Sequence, residues 1–86
     1  MGRNNLEIAA DILEAARCGA AKSLIGHRAY VNAKILRKYL DLLTKSGLIT
    51  QEGRFFKTTR RGLEFLASFR KINEYLPLKS RIEKAI

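Results

Sequence analysis

Eighty-six residues, 47% apolar and 29% charged, describe one small globular domain rather than a disordered chain, near the lower size for a self-sufficient core. No apolar run approaches the ~20 residues of a membrane span. The N-terminus lacks the apolar core of a signal peptide, and a single cysteine excludes an internal disulfide or a zinc framework and fits a reducing cytoplasm.

The net charge of +9 is unevenly placed. Residues 1–16 carry −2 and residues 62–86 carry +2, while residues 17–61 hold eleven basic side chains against Asp41 and Glu52. Charge gathered in one block points to a polyanionic partner more than to solubility.

In chain order, Asn4 and Asn5 are N-cap candidates for a helix starting near Leu6. Its apolar stripe is Leu6, Ala9, Ile12 or Leu13, and Ala16. Glu7, Asp11 and Glu14 share another face, which is expected to turn away from an anionic ligand. Cys18 is expected to be partly buried, and Gly19 is a natural stop. A short second helix is expected over Ala21 to Ala29, with Leu24 and Ile25 buried. Gly26 weakens it by about 1 kcal/mol relative to alanine. His27 has no sequence partner for metal binding or catalysis and reads as a surface or turn residue, with a phosphate contact as its other use.

Tyr30-Val31-Asn32 reads as a turn, with Asn32 as the N-cap of the third helix and Val31 anchored in the core. Tyr30 has two open uses, packing or a phosphate contact. In the helix that follows, Leu36, Tyr39, Leu40 and Leu43 form an apolar stripe. Lys34, Lys38, Asp41 and Lys45, with Arg37 beside them, form a second, mostly cationic one. A rod buried on one side and basic on the other is what a major-groove reader needs. Gly47 is a left-handed stop.

Leu48 to Gln51 and Phe55 to Thr58 are short β-prone runs around Glu52-Gly53-Arg54, hence a hairpin with Arg54 at its tip. Alternation puts Ile49, Phe56 and Thr58 inward, with Phe55 and Lys57 outward. Thr59 then caps a last helix, Arg60 to Leu76. Leu63 and Leu66 are expected to complete the core. Phe65, Phe69, Ile72 and Leu76 recur at four, three and four, a heptad seam that predicts a homodimer, antiparallel or crossed. Folding of this helix back over the first one is the other disposition left open. Pro77 cannot continue the helix, and Leu78, Ile82 and Ile86 suggest a further short one.

The expected fold is mainly α with a small β-hairpin: a winged helix-turn-helix over residues 1–59 plus a C-terminal dimerisation helix over 60–86. The order of elements, with Leu6-Glu7-Ile8, Asp11-Ile12-Leu13, Tyr39-Leu40-Asp41-Leu42-Leu43, Gly47-Leu48-Ile49, and Thr59 with Gly62, resembles an archaeal winged helix-turn-helix DNA-binding family. Its best-known members are small, basic dimers with a C-terminal coiled coil. The likeness covers roughly residues 6–76. It implies sequence-specific or sequence-loose binding of double-stranded DNA, in transcription regulation or in a chromatin-associated, nucleoid role in the cytoplasm. Three departures stand out: Thr58 in place of a larger apolar residue, Arg60 in place of an acid, and a last helix interrupted at Pro77.

The candidate DNA contacts are Lys34, Arg37 and Lys38 on the third helix, Asn32 and Tyr30 at its start, Lys22 and Arg28 on flanking phosphates, and Arg54 and Lys57 from the hairpin. No catalytic cluster, metal-ligand set or cofactor motif is visible, so neither an enzyme nor a cofactor is expected. Two other uses stay open at this point. One is a protein-interaction module, which the lysine content disfavours; the other is RNA binding.

Overall fold

The computed structural model describes residues 3–75. Leu76, Pro77 and the further helix expected around Leu78, Ile82 and Ile86 lie outside the described residues. The elements are α1 (Asn5–Ala15), β1 (Ala20–Ala21), α2 (Lys22–Ala29), α3 (Ala33–Lys45), β2 (Ile49–Glu52), β3 (Phe55–Thr58) and α4 (Arg60–Tyr75).

α1 starts on a reciprocal cap. Asn4 Oδ1 accepts from the Glu7 N–H at 2.8 Å, and the Glu7 carboxylate accepts from the Asn4 N–H at 3.0 Å. This draws Glu7 inward, where it is buried, so the expected continuous acidic face of Glu7, Asp11 and Glu14 does not exist. The two remaining acids are matched by arginines: Asp11 by Arg3 at 2.6 Å, Glu14 by Arg17 at 3.2 Å and by Arg70 at 2.8 Å. Ile12 and Leu13 are both fully buried, and Leu6 is exposed instead of continuing their stripe. The chain leaves α1 through Gly19, whose φ of +93° suits glycine. Cys18, expected to be partly buried, is exposed on this turn.

Two alanines then form a strand that alternation could not announce, since two residues show no period. β1 pairs antiparallel with β3, giving a three-stranded sheet in the order β1-β3-β2. α2 therefore begins at Lys22, one residue later than expected. It buries Ile25 and Ala29, but Leu24 is exposed, because the second contact of so short a helix is made by its small residues. Gly26 is one of them: a Cβ there would meet a Leu36 methyl at 3.3 Å, so the glycine brings α2 close to α3.

α3 buries Leu36, Leu40 and Leu43, while Tyr39 is half-buried and its hydroxyl donates to Asn5 Oδ1 at 2.7 Å. The helix stops in a left-handed Gly47 (φ +78°), with the Leu48 N–H donating back to the Leu43 carbonyl at 2.9 Å. The hairpin loop is two residues, Gly53-Arg54, and only Gly53 has positive φ, as a type II′ turn requires. Ile49 pairs with Thr58 and Gln51 with Phe56 on one sheet face, Thr50 with Lys57 and Glu52 with Phe55 on the other.

Thr58 is buried for a polar reason. Its hydroxyl donates to the Leu13 carbonyl at 2.6 Å and its N–H to the Ala16 carbonyl at 3.0 Å, pinning β3 to the end of α1. The next residue starts α4: Thr59 Oγ1 accepts from the Gly62 N–H at 3.1 Å and donates to the Gly47 carbonyl at 2.7 Å.

α4 packs on α1 and enters the common core through Leu66 and Phe69. This corrects two expectations. Leu63 points outward, and Phe69, expected on a dimer seam, is 8% exposed within its own chain. Phe65 is half-buried against the same core, and Ile72 alone of the described seam residues is exposed.

Candidate nucleic-acid interface

The start of α2, the outer side of α3 and the hairpin meet around Lys22. One groove is lined by Lys22, Arg37, Asp41, Thr44, Gln51 and Phe56, which joins α2 to α3 and to the inner sheet face. A second, between α2 and the beginning of α3, is lined by Lys22, Ser23, Gly26, His27, Val31, Ala33 and Leu36. A third runs to the hairpin tip, past Ser23, Gln51, Arg54 and Phe55. Lys22 borders all three.

Lys34 and Lys38 stand exposed on the first two turns of α3, next to Arg37. None of Lys22, Lys34, Arg37, Lys38, Arg54 or Lys57 makes a salt bridge among the described residues. The paired basic residues are Arg3 on Asp11, Arg17 and Arg70 on Glu14, and Lys45 on Asp41 at 3.1 Å. The α1 acids Asp11 and Glu14 are thus matched by arginines, while Lys22 on α2, Lys34, Arg37 and Lys38 on α3 and Arg54 at the hairpin tip carry no ion pair among the described residues. Exposed cations on α3 beside Arg54 of the hairpin attract a polyanion without first breaking internal pairs.

Not every expected contact residue joins this surface. Asn32 is committed as the N-cap of α3, with Oδ1 accepting from the Ile35 N–H at 2.8 Å. Arg28 donates to the Ala15 carbonyl at 3.2 Å and lines a separate recess with Arg3, Asp11, Glu14 and Tyr30. That recess includes neither Lys22 nor Arg37, and Asp11 and Glu14 border it, so Arg28 and Tyr30 lie apart from the cationic groove. Tyr30 ends α2 in a left-handed conformation (φ +56°) with its ring in solvent, so packing is not its use. Lys57 leaves the sheet on the face opposite Gln51 and Phe56.

Ser23, His27 and Gln51 line the grooves. In the sequence His27 is open to a phosphate contact but is not among the expected contacts, and nothing there singles out Ser23 or Gln51. Ser23 and His27, four apart on a helix with Lys22, share the face that the α2 spacing itself defines. Strand alternation carries Gln51 to the same side as Ile49.

The model of the winged helix-turn-helix family matches residues 2–76. The chain belongs to this family. In winged-helix terms α2 and α3 are the helix-turn-helix, and the β2–β3 hairpin is the wing. Among solved structures, the winged-helix chain is similar to the crystal structure of Sso10a-2, a DNA-binding protein from Sulfolobus solfataricus. The two are 30% identical with a TM-score of 0.73, over 96% of this chain and 93% of that one. No curated protein matches. Among the described residues, no helix is long and apolar enough to cross a membrane, and no group of His, Cys, Asp or Glu side chains forms a metal site.

Proposed function

We propose that this winged helix binds double-stranded DNA, with α3 in the major groove, the start of α2 on a flanking phosphate and the wing tip against the backbone. The observation that carries the reading is the set of unpaired cations, Lys22, Lys34, Arg37, Lys38 and Arg54, on the elements that converge at Lys22. Similarity to a protein described as DNA-binding supports the same partner.

Lys34, Lys38 and Arg37 act from the recognition helix. Arg37 is the candidate for reading a base edge, since its fork can donate twice to guanine. Lys22 and Arg54 act on phosphates. The role that fits is a regulator or chromatin-associated protein of the cytoplasmic nucleoid, acting as a homodimer through α4. Phe69 holds α4 to its own body, so the pairing surface is the neighbouring flank, where Phe65 and Ile72 stand seven residues apart.

Titration of fluorescent duplex DNA by anisotropy over a salt series tests the reading. With about four phosphates neutralised, by Lys22, Lys34, Lys38 and Arg54, log affinity falls against log salt with a slope of about −3.5. An affinity that barely changes with salt refutes it. Preference for structured RNA at equal salt transfers the surface to another ligand.

A further inference from the structure

The residues before α1 reach across the domain to the turn of the helix-turn-helix. Arg3 Nη1 donates to Asp11 Oδ2 at 2.6 Å and to the Ala29 carbonyl at 2.7 Å, and Nη2 donates to the Tyr30 carbonyl at 2.8 Å. Ala29 and Tyr30 are the last residue and the C-cap of α2. One guanidinium therefore serves two carbonyls that a helix end leaves without intrahelical partners, at the pole where positive charge is favourable. The pair with Asp11 is about three-quarters shielded from water on the carboxylate side, so it is held more firmly than a surface ion pair.

The turn needs this support. Tyr30 adopts φ +56°, a conformation that costs free energy for any residue with a Cβ. Its ring is exposed, so no packing of the side chain secures the turn. Two residues later Asn32 starts α3. The backbone between Ala29 and Asn32 thus fixes how the recognition helix leaves α2, and Arg3 grips it from the far side. Arg3 itself is no phosphate ligand, because its fork is occupied and Asp11 and Glu14 border the recess in which it lies.

We infer that Arg3, braced by Asp11, is a positioning residue for DNA binding: it sets the angle of α3 by locking the Ala29–Tyr30 turn, without touching the nucleic acid. The inference rests on the duplex reading of α3 given above.

The test compares wild type, Arg3→Ala, Arg3→Lys and Asp11→Asn in the full chain. Duplex affinity is measured over a salt series, thermal unfolding by circular dichroism, and amide exchange at Tyr30 and Val31, whose N–H groups both donate to the Gly26 carbonyl. Arg3→Ala weakens affinity about ten-fold by lowering the population of the competent turn. The salt slope stays at the wild-type value, and exchange at Tyr30 and Val31 quickens while the rest of the domain keeps its protection. Arg3→Lys recovers only part of the loss, since an ammonium cannot span three acceptors in a plane.

Unchanged affinity in folded Arg3→Ala overturns the inference. So does a salt slope shallower by about one, which makes Arg3 a phosphate contact. Should Arg3→Ala fail to fold, Asp11→Asn, which leaves both carbonyl bonds, carries the comparison with the same expected signs and a smaller loss. If wild type binds no duplex, the DNA reading falls by itself. The lock is then judged by exchange alone, and unaltered exchange at Tyr30 and Val31 rejects it.

Discussion

Gly62 and Thr58 set the tightest joint in the molecule. A Cβ at Gly62 would overlap the Leu48 carbonyl oxygen and sit 2.6 Å from Thr58 Cγ2. The oxygen belongs to backbone that also accepts from the Thr59 N–H at 3.0 Å, so it cannot swing aside. Gly62→Ala is therefore expected to destabilise the domain by about 2–3 kcal/mol, although alanine is the better helix former; denaturant unfolding measures it. Thr58→Val keeps the shape but removes the donor to the Leu13 carbonyl, at an expected cost of about 1–3 kcal/mol. Both variants should keep the wild-type salt slope on DNA, since neither residue is on the cationic surface. The sequence placed Thr58 inward by alternation, yet the reason for a hydroxyl there was not legible. Its acceptor is 45 residues away in the chain, and no local pattern encodes that distance. The departure of Thr58 from an apolar residue is explained by this bond.

At the scale of elements, legibility followed length. α3 shows two periods of apolar residues, and Leu36, Leu40 and Leu43 are buried as its stripe requires. β1 has two residues and left no trace. α4 shows the limit of periodicity: a seven-residue repeat says that a face is apolar but not whose surface covers it. Phe69 fits the repeat and is spent on its own core, while Ile72 fits it and stays in solvent. Charge is legible in sign and not in pairing. Arg28 and Lys22 read alike, but Arg28 is drawn to the Ala15 carbonyl and Lys22 stands free. Two substitutions separate reading from anchoring on α3. Arg37→Ala should weaken a preferred duplex by about 1–3 kcal/mol and random duplex by less, if the guanidinium donates to a base. Lys34→Ala with Lys38→Ala should weaken both duplexes alike and make the salt slope shallower by about two. Binding curves on a selected and a scrambled site distinguish the two patterns, and equal loss with Arg37→Ala makes it a backbone contact.

At the scale of the whole molecule, the small core and the unspent flank of α4 bear on one another. A domain this size buries a modest fraction of its surface, so a second copy covering Phe65 and Ile72 would stabilise both. Because Leu66 and Phe69 already fix α4 to the body, separation of the copies should not unfold them. Ile72→Glu puts a charge into the proposed seam and leaves that internal packing alone. The expected result by light scattering is a shift from twice the 9.8 kDa chain mass to a single chain. The variant should remain folded, and its melting temperature should be independent of concentration, whereas that of wild type is expected to rise with concentration. Duplex affinity should fall as well, by roughly ten- to a hundred-fold on DNA long enough for two sites, because paired recognition helices gain from effective concentration and single ones do not. On a duplex too short for two helices, wild type and Ile72→Glu should bind equally. A wild-type monomer, or an Ile72→Glu dimer, refutes pairing through α4 and leaves the single-domain DNA contact standing on Lys22, Arg37 and the wing.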